Sequence, residues 1–173
     1  MNAKILLTVL AASVAGCVGP NVPTPSAAMR ISLNDAAGAT RAVATLRERS
    51  GGVLVRIDAW QTAAGAYGAH VHTTGRCDAP DFTSAGPHWN PTGRQHGREN
   101  PQGAHLGDLP NLVVGADGRG RVEFLIAGAT VTGGAQAMRD ADGAAIVVHA
   151  AADDNRTDPS GNSGARIACG VVG

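Results

Sequence analysis

Two histidines one residue apart, His70 and His72, sit in the small, apolar stretch Gly68-Ala69-His70-Val71-His72. On a β-strand side chains alternate faces, so both imidazoles point the same way. Two imidazoles on one face of a rigid strand are half of a metal site. The pair gains weight from the other histidines. The chain has six, His70, His72, His88, His96, His105 and His149, and each lies where it can be read as a ligand. His88, His96, His105 and Asp108 crowd into one segment from Thr73 to Pro110 that is rich in Gly, Pro and Asn and has almost no apolar periodicity. A structureless connection that long inside a compact domain is normally functional, and four candidate ligands can organise it by coordination instead of by a core.

The elements that must hold these groups read as strands. Alternating or β-branched runs occur at Met29 to Leu33, Ala42 to Arg47, Val53 to Asp58, around His70 and His72, at Asn111 to Val114, Val122 to Ile126, Ala145 to His149, and Arg166 to Val172. Turn signals separate them, including Asn34 to Gly38, Ser50-Gly51-Gly52 and the hairpin signal Asp117-Gly118. Eight short strands predict an all-β sandwich or flattened barrel. The 24 glycines and the scarcity of aromatics, Tyr67, Trp60, Trp89, Phe82 and Phe124, fit a sheet protein with tight turns. The 173 residues suit one domain plus a leader, and a balance of 14 basic and 14 acidic residues gives no nucleic-acid footprint.

Residues 1–16 read as an export signal: Lys4, then the apolar run Ile5 to Ala15, too short to span a bilayer comfortably. Val14-Ala15-Gly16-Cys17 resembles the lipobox of bacterial lipoproteins, which implies lipidation at Cys17. An ordinary secretory leader with a chance cysteine is the alternative. Residues 17–27, with three prolines after the cysteine, read as a tether, and residues 28–173 as the folded domain. Either leader sends the chain to an oxidising compartment. Val18 stands where an Asp would mark inner-membrane retention in enteric-type lipoproteins, so the expectation is the cell envelope or periplasm, with the anchor in the outer membrane.

Several motifs together resemble copper/zinc superoxide dismutase, most closely its bacterial exported members. They are Gly68-Ala69-His70-Val71-His72, Ser84 to Pro91 (with Pro87-His88-Trp89), His105-Leu106-Gly107-Asp108-Leu109, Val147-Val148-His149, and Gly161 to Gly170 (with Arg166 and Cys169). The resemblance covers the chain from about Ala28 to its end. It implies an eight-stranded Greek-key barrel of immunoglobulin-like architecture carrying a long metal-binding loop. It implies one copper per subunit on His70, His72, His88 and His149, and one zinc on His88, His96, His105 and Asp108, with His88 bridging. Asp153 would accept hydrogen bonds from the outer nitrogens of His70 and His96, and Cys77 and Cys169 would form a disulfide. Arg166 would hold the anionic substrate, superoxide, beside copper. His88 would also carry a proton in the redox cycle that yields dioxygen and hydrogen peroxide. A homodimer is compatible with this reading. The sequence departs from the eukaryotic pattern in the short stretch between Asp153 and Arg166, which lacks the Glu/Lys cluster that guides superoxide and offers Arg156, as an alternative guiding cation, Asp158 and little else, and in Ala150, where the family often has Glu. The alternatives are an envelope copper/zinc-binding module of the same fold without dismutase activity, and a structural lipoprotein with adventitious zinc.

Overall fold

A computed structural model describes residues 27–173. The leader, Cys17 and nearly all of the tether lie outside the described residues. All eight expected strands are present: β1 (Met29–Asn34), β2 (Thr40–Arg49), β3 (Gly52–Ala59), β5 (Ala69–His72), β6 (Leu112–Val114), β7 (Gly120–Ala127), β10 (Ala144–His149) and β11 (Arg166–Val172). Three short strands were not apparent from the sequence: β4 (Gly65–Tyr67), β8 (Thr130–Thr132) and β9 (Ala137–Arg139). Each has only three residues, too few for an alternating pattern to register. Among the described residues the one helical element is a 3-10 turn at Thr83–Ala85.

Nine strands form one sheet in the order β4-β6-β7-β3-β2-β1-β11-β10-β5, with β8 and β9 as a separate parallel pair. Pairing of β3 with β7, β4 with β6, β5 with β10 and β1 with β11 skips along the chain, as Greek-key connections do. The first and last strands of this order, β4 and β5, are consecutive in sequence and separated only by Gly68. The sheet therefore closes on itself through that residue into a flattened barrel, leaving no long unpaired edge. A Cβ at Gly68 would lie 2.7 Å from Ser163 Oγ, so only glycine fits at this join.

Period-two alternation fills the barrel. Ile31 and Leu33 of β1, Ala42, Ala44 and Leu46 of β2, Val53, Val55 and Ile57 of β3, and Ile146 and Val148 of β10 point inward and are buried. Ala69 and Val71 of β5 join this core, which turns His70 and His72 to the outer face. Every residue of β10 is buried, because Ala145 and Val147 on its outer side pack under Phe82, Ala85, Cys77 and Cys169. The metal-loop segment is thus not organised by polar groups alone, as its composition suggests. Trp89 and Leu109 enter the barrel core, Phe82 and Ala85 cover β10, and a Cys77–Cys169 disulfide fastens the segment to β11.

Candidate metal centre

The backbone of the loop is what brings the ligands together. Strand β5 pairs with β10 on one side, with Val147 opposite His70 and Ala145 opposite His72. Along its other edge the loop returns twice. Trp89 N–H donates to Val71 O, Val71 N–H to Gly107 O, and Leu109 N–H to Ala69 O. These bonds put His88 directly beside His72 and Asp108 directly beside His70. His149, at the end of β10, has the same parity as Ala145 and Val147 and joins the same outer face. Gly107 is tightly held: a Cβ there would meet Val71 O at 2.4 Å.

Ligand atoms of His70, His72, His88 and His149 lie within 4.8 Å of one another, and all four residues are buried. Carbonyl and carboxylate oxygens fix which nitrogen of each ring carries its proton. His72 Nδ1–H donates to Gly86 O at 2.8 Å, His149 Nδ1–H to Gly164 O at 3.2 Å, and His70 Nε2–H to Asp153 Oδ2 at 2.7 Å. That leaves His72 Nε2, His149 Nε2 and His70 Nδ1 as lone-pair acceptors facing one space. The Nε2 atoms of His72 and His149 are 3.4 Å apart with no proton to share, and His70 Nδ1 is buried with no hydrogen-bond partner. Lone pairs that converge with no proton between them suit a cation, and an all-imidazole donor set is one that copper accepts.

The second cluster centres on one carboxylate oxygen. Nδ1 atoms of His88, His96 and His105 lie 3.1, 3.1 and 3.2 Å from Asp108 Oδ1. A tetrahedral ion with bonds of about 2.0–2.1 Å places its ligands about 3.3–3.4 Å apart, close to what these four atoms show. The Nδ1 atoms of His96 and His105 have no hydrogen-bond partner. His70 also approaches His88, His96 and Asp108, but its Nε2 is committed to Asp153, so the carboxylate-centred set is His88, His96, His105 and Asp108. His88 belongs to both clusters.

Asp153 joins the two clusters from behind, Oδ2 accepting from His70 at 2.7 Å and Oδ1 from His96 Nε2 at 3.0 Å. Asn111 was missed in the sequence reading. It fixes the Asp153 backbone by donating Nδ2–H to Asp153 O and accepting the Asp153 N–H. Gly161, with φ +62, passes so close that a Cβ would lie 1.9 Å from Asp153 Oδ1. Asp158, read only as a loop charge, accepts the backbone N–H of His96. Nothing in the sequence marks Asn111 except its place one residue before β6.

Electrostatics keep the ligands in their binding forms. Burial pushes His72 down to about 2, His149 to about 3 and His88 to about 4, so all three are neutral near pH 7. Burial also opposes ionisation of Asp108, but the close approach of the His105, His88 and His96 rings, with the Gly97 N–H, holds its carboxyl well below the usual carboxylate range. For Asp153, bonds from His70 and His96 overcome burial in the same direction. Burial lowers His96 too, yet Asp108 and Asp153 on its two nitrogens raise it to about 9; a cation at Nδ1 would take the place of that proton.

Arg166 is half-buried and donates to Phe82 O at 2.6 Å and to Gly86 O at 2.7 Å. Gly86 O also accepts from His72 Nδ1, so one carbonyl links the guanidinium to a ligand of the all-imidazole cluster. Arg156 is bound to Glu99 through two hydrogen bonds and is not a free cation. Asp154 is engaged by Thr157, Asn162 and the Arg156 N–H.

The family description "Copper/zinc superoxide dismutase (SODC)" matches residues 40–172. The chain is 42% identical over 131 residues to superoxide dismutase [Cu-Zn] 1 of Aquifex aeolicus, covering 75% of this chain and 78% of that protein. It is 46% identical over 123 residues to superoxide dismutase-like protein YojM of Bacillus subtilis, covering 70% and 63%. Among solved structures, a SOD-like protein from Bacillus subtilis superposes with a TM-score of 0.80 at 38% identity, over 84% of this chain and 99% of that one. Two ligand clusters sharing one imidazole on the outer wall of a Greek-key barrel agree with these likenesses, and the chain belongs to the copper/zinc superoxide dismutase family.

Proposed function

We propose that the chain converts two superoxide anions and two protons into dioxygen and hydrogen peroxide, with copper held by His70, His72, His88 and His149 and zinc by His88, His96, His105 and Asp108. The observation that carries this reading is His88, whose Nδ1 faces Asp108 at 3.1 Å while its ring stacks on His70 at 3.9 Å between centroids. Copper, when bound, supplies the reversible one-electron couple; zinc supplies a fixed charge that does not change oxidation state. The chain does the rest. Asp153 sets the tautomers of His70 and His96, so that their free nitrogens face the two clusters. His88 Nε2, the ring nitrogen not turned to Asp108, is the atom placed to hold a proton for the departing product. Arg166, fixed by Phe82 O and Gly86 O, orients a small anion beside His72.

Reconstitution with both metals, followed by elemental analysis and a superoxide-decay assay, tests the proposal. One copper and one zinc per chain with accelerated decay are expected. His88→Ala is expected to lower zinc retention and alter the Cu(II) spectrum together; zinc binding untouched by that change would refute the bridge. The similarity to a superoxide dismutase-like protein motivates a second reading, a copper/zinc-binding module, which full metal loading without accelerated decay would favour.

We also propose that the domain works in the cell envelope, anchored through lipidated Cys17. The leader-like apolar run and the small residues before Cys17 support this. Cys17→Ser is expected to move the protein from the detergent phase to the aqueous phase, and wild type recovered in the aqueous phase would refute the anchor.

A further inference from the structure

The half of the barrel away from the metal centre, β2, β3 and β7, carries a second polar site. Register places Thr45 of β2 opposite Arg56 of β3, Arg56 opposite Glu123 of β7, and Arg47 opposite Leu54. Directly paired residues share a face, and Arg47 and Arg49 follow Thr45 at even spacing, so all of these point outward. Together Thr45, Arg47, Arg49, Leu54, Arg56 and Glu123 line a depression of about 150 Å³.

Two groups there are out of balance. Thr45 is only 4% exposed, and its Oγ1 is buried without a hydrogen-bond partner. Arg56 Nε is also buried and unpartnered; Asp58 Oδ2 lies 2.9 Å away but out of line for a hydrogen bond. Asp58 is shared with Arg121. Arg49 donates to the carbonyl of Glu48, and among the described residues Arg47 makes no ion pair. Buried donors are nearly always satisfied. Four guanidiniums on this face, Arg47, Arg49, Arg56 and Arg121, meet two carboxylates, Asp58 and Glu123, and Asp58 is divided between Arg56 and Arg121, which leaves a surplus of donors and of positive charge centred on Arg47 and Arg49.

We propose that this depression is a binding site for a phosphate group, held by Arg47, Arg49 and Arg56 with Thr45 Oγ1 donating from the floor. A tetrahedral oxoanion presents several acceptor oxygens in different directions. It can therefore engage forked guanidiniums and a hydroxyl at once, which a planar carboxylate cannot do as fully. Free phosphate and a phospholipid headgroup offer the same chemistry. Glu123 on the rim disfavours anions that cannot compensate for its charge.

The test uses the metal-loaded full-length chain carrying Cys17→Ser, so that no acyl chain contributes. Thermal midpoints are measured in inorganic phosphate against chloride at equal ionic strength. Sedimentation with phosphatidic acid vesicles is compared with phosphatidylcholine vesicles. The expected result is phosphate-dependent stabilisation or vesicle binding whose apparent Kd weakens at least about tenfold in Arg47→Ser/Arg49→Ser. Thr45→Val is expected to keep or raise the midpoint without phosphate while losing the response to it; a purely structural Thr45 would lower both. Arg166→Ile is expected to retain the response, which separates this site from the metal centre. Response to free phosphate identifies a soluble ligand, and response to vesicles alone identifies a lipid headgroup. No response in either arm, or one that both β2 variants retain, or one that Arg166→Ile abolishes, would overturn the proposal.

Discussion

Gly161→Ala is the sharpest probe of the link between Asp153 and the zinc ligands. The added Cβ would sit 1.9 Å from Asp153 Oδ1, 2.5 Å from its Cγ and 2.6 Å from His96 Nε2. Relief to beyond 3.0 Å requires the carboxylate to retreat by about an ångström and the ring by about 0.4 Å, so the two no longer keep their mutual geometry. The 3.0 Å bond between Asp153 Oδ1 and His96 Nε2 does not survive such a shift. Losing the partner that orients a ligating imidazole costs roughly 10–100-fold in metal affinity, or about 1.4–2.7 kcal/mol. Alanine at φ +62 adds backbone strain of about 1–2 kcal/mol, which lowers stability whatever the metal does. Gly93→Ala isolates that second cost, since Gly93 has φ +63 and nothing within 4 Å of its would-be Cβ. Zinc affinity is measured for both variants by chelator competition, and stability by thermal unfolding of the metal-free forms. Both variants are expected to lose stability, and only Gly161→Ala to lose zinc affinity. Equal zinc affinities in the two would refute the argument that the Asp153–His96 contact orients the site.

Arg166→Ile is expected to lower the dismutation rate at least about tenfold, about 1.4 kcal/mol of transition-state stabilisation, at unchanged metal content; a wild-type rate and salt dependence would show that another group guides the substrate. Replacing both Cys77 and Cys169 by Ser opens a link spanning 92 residues and is expected to cost about 2–5 kcal/mol in denaturant unfolding; an unchanged midpoint would mean that the apolar anchors Phe82, Ala85, Trp89 and Leu109 hold the loop without it. For the metal-free protein, His72, His88 and His149 have folded-state values depressed to about 2, 4 and 3. Only the unfolded chain therefore takes up these protons below about pH 6.5, and stability is expected to fall between pH 7 and 5.5 by up to about 4 kcal/mol. His96, raised to about 9, contributes stability that is complete only below about pH 6.5 and fades as pH rises, so between pH 7 and 5.5 it offsets about 0.8 kcal/mol of this loss and leaves a net fall of about 3 kcal/mol. A thermal midpoint flat over that interval would refute the assignment.

All six histidines and Asp108 were legible as candidate ligands because ligand chemistry restricts residue types; β-periodicity placed only His70 and His72, and the division into two sets came from the family resemblance. The principal strands were legible from the same periodicity. Asn111 and Gly161 were not. Asn111 acts through a backbone it meets only after the barrel closes, and Gly161 matters because of a side chain that folding carries to it. Arg156 is instructive in the other direction: its charge suggested a guide for substrate, but a distant residue, Glu99, occupies it. The loop from Thr73 to Pro110 has no periodicity because its apolar residues serve two different cores. Trp89 and Leu109 face the barrel interior, while Phe82 and Ala85 face the outside of β10. Neither set repeats often enough to leave a pattern.

Gly68 separates the two ends of the nine-stranded sheet, and the same residue stands two positions before His70. The seam of the barrel therefore runs beside the all-imidazole cluster. The backbone holds it there by the His149 N–H on Gly68 O and the Gly68 N–H on Ala151 O. A belt opens at its buckle, and an ion gripped by both β5 and β10 would fasten this one from outside. Amide exchange at Gly68, His149 and Ala151 would then report metal loading without any assay of chemistry. It would slow as the ion binds, while exchange at the centre of β2 and β3, half a turn away, stayed as it was.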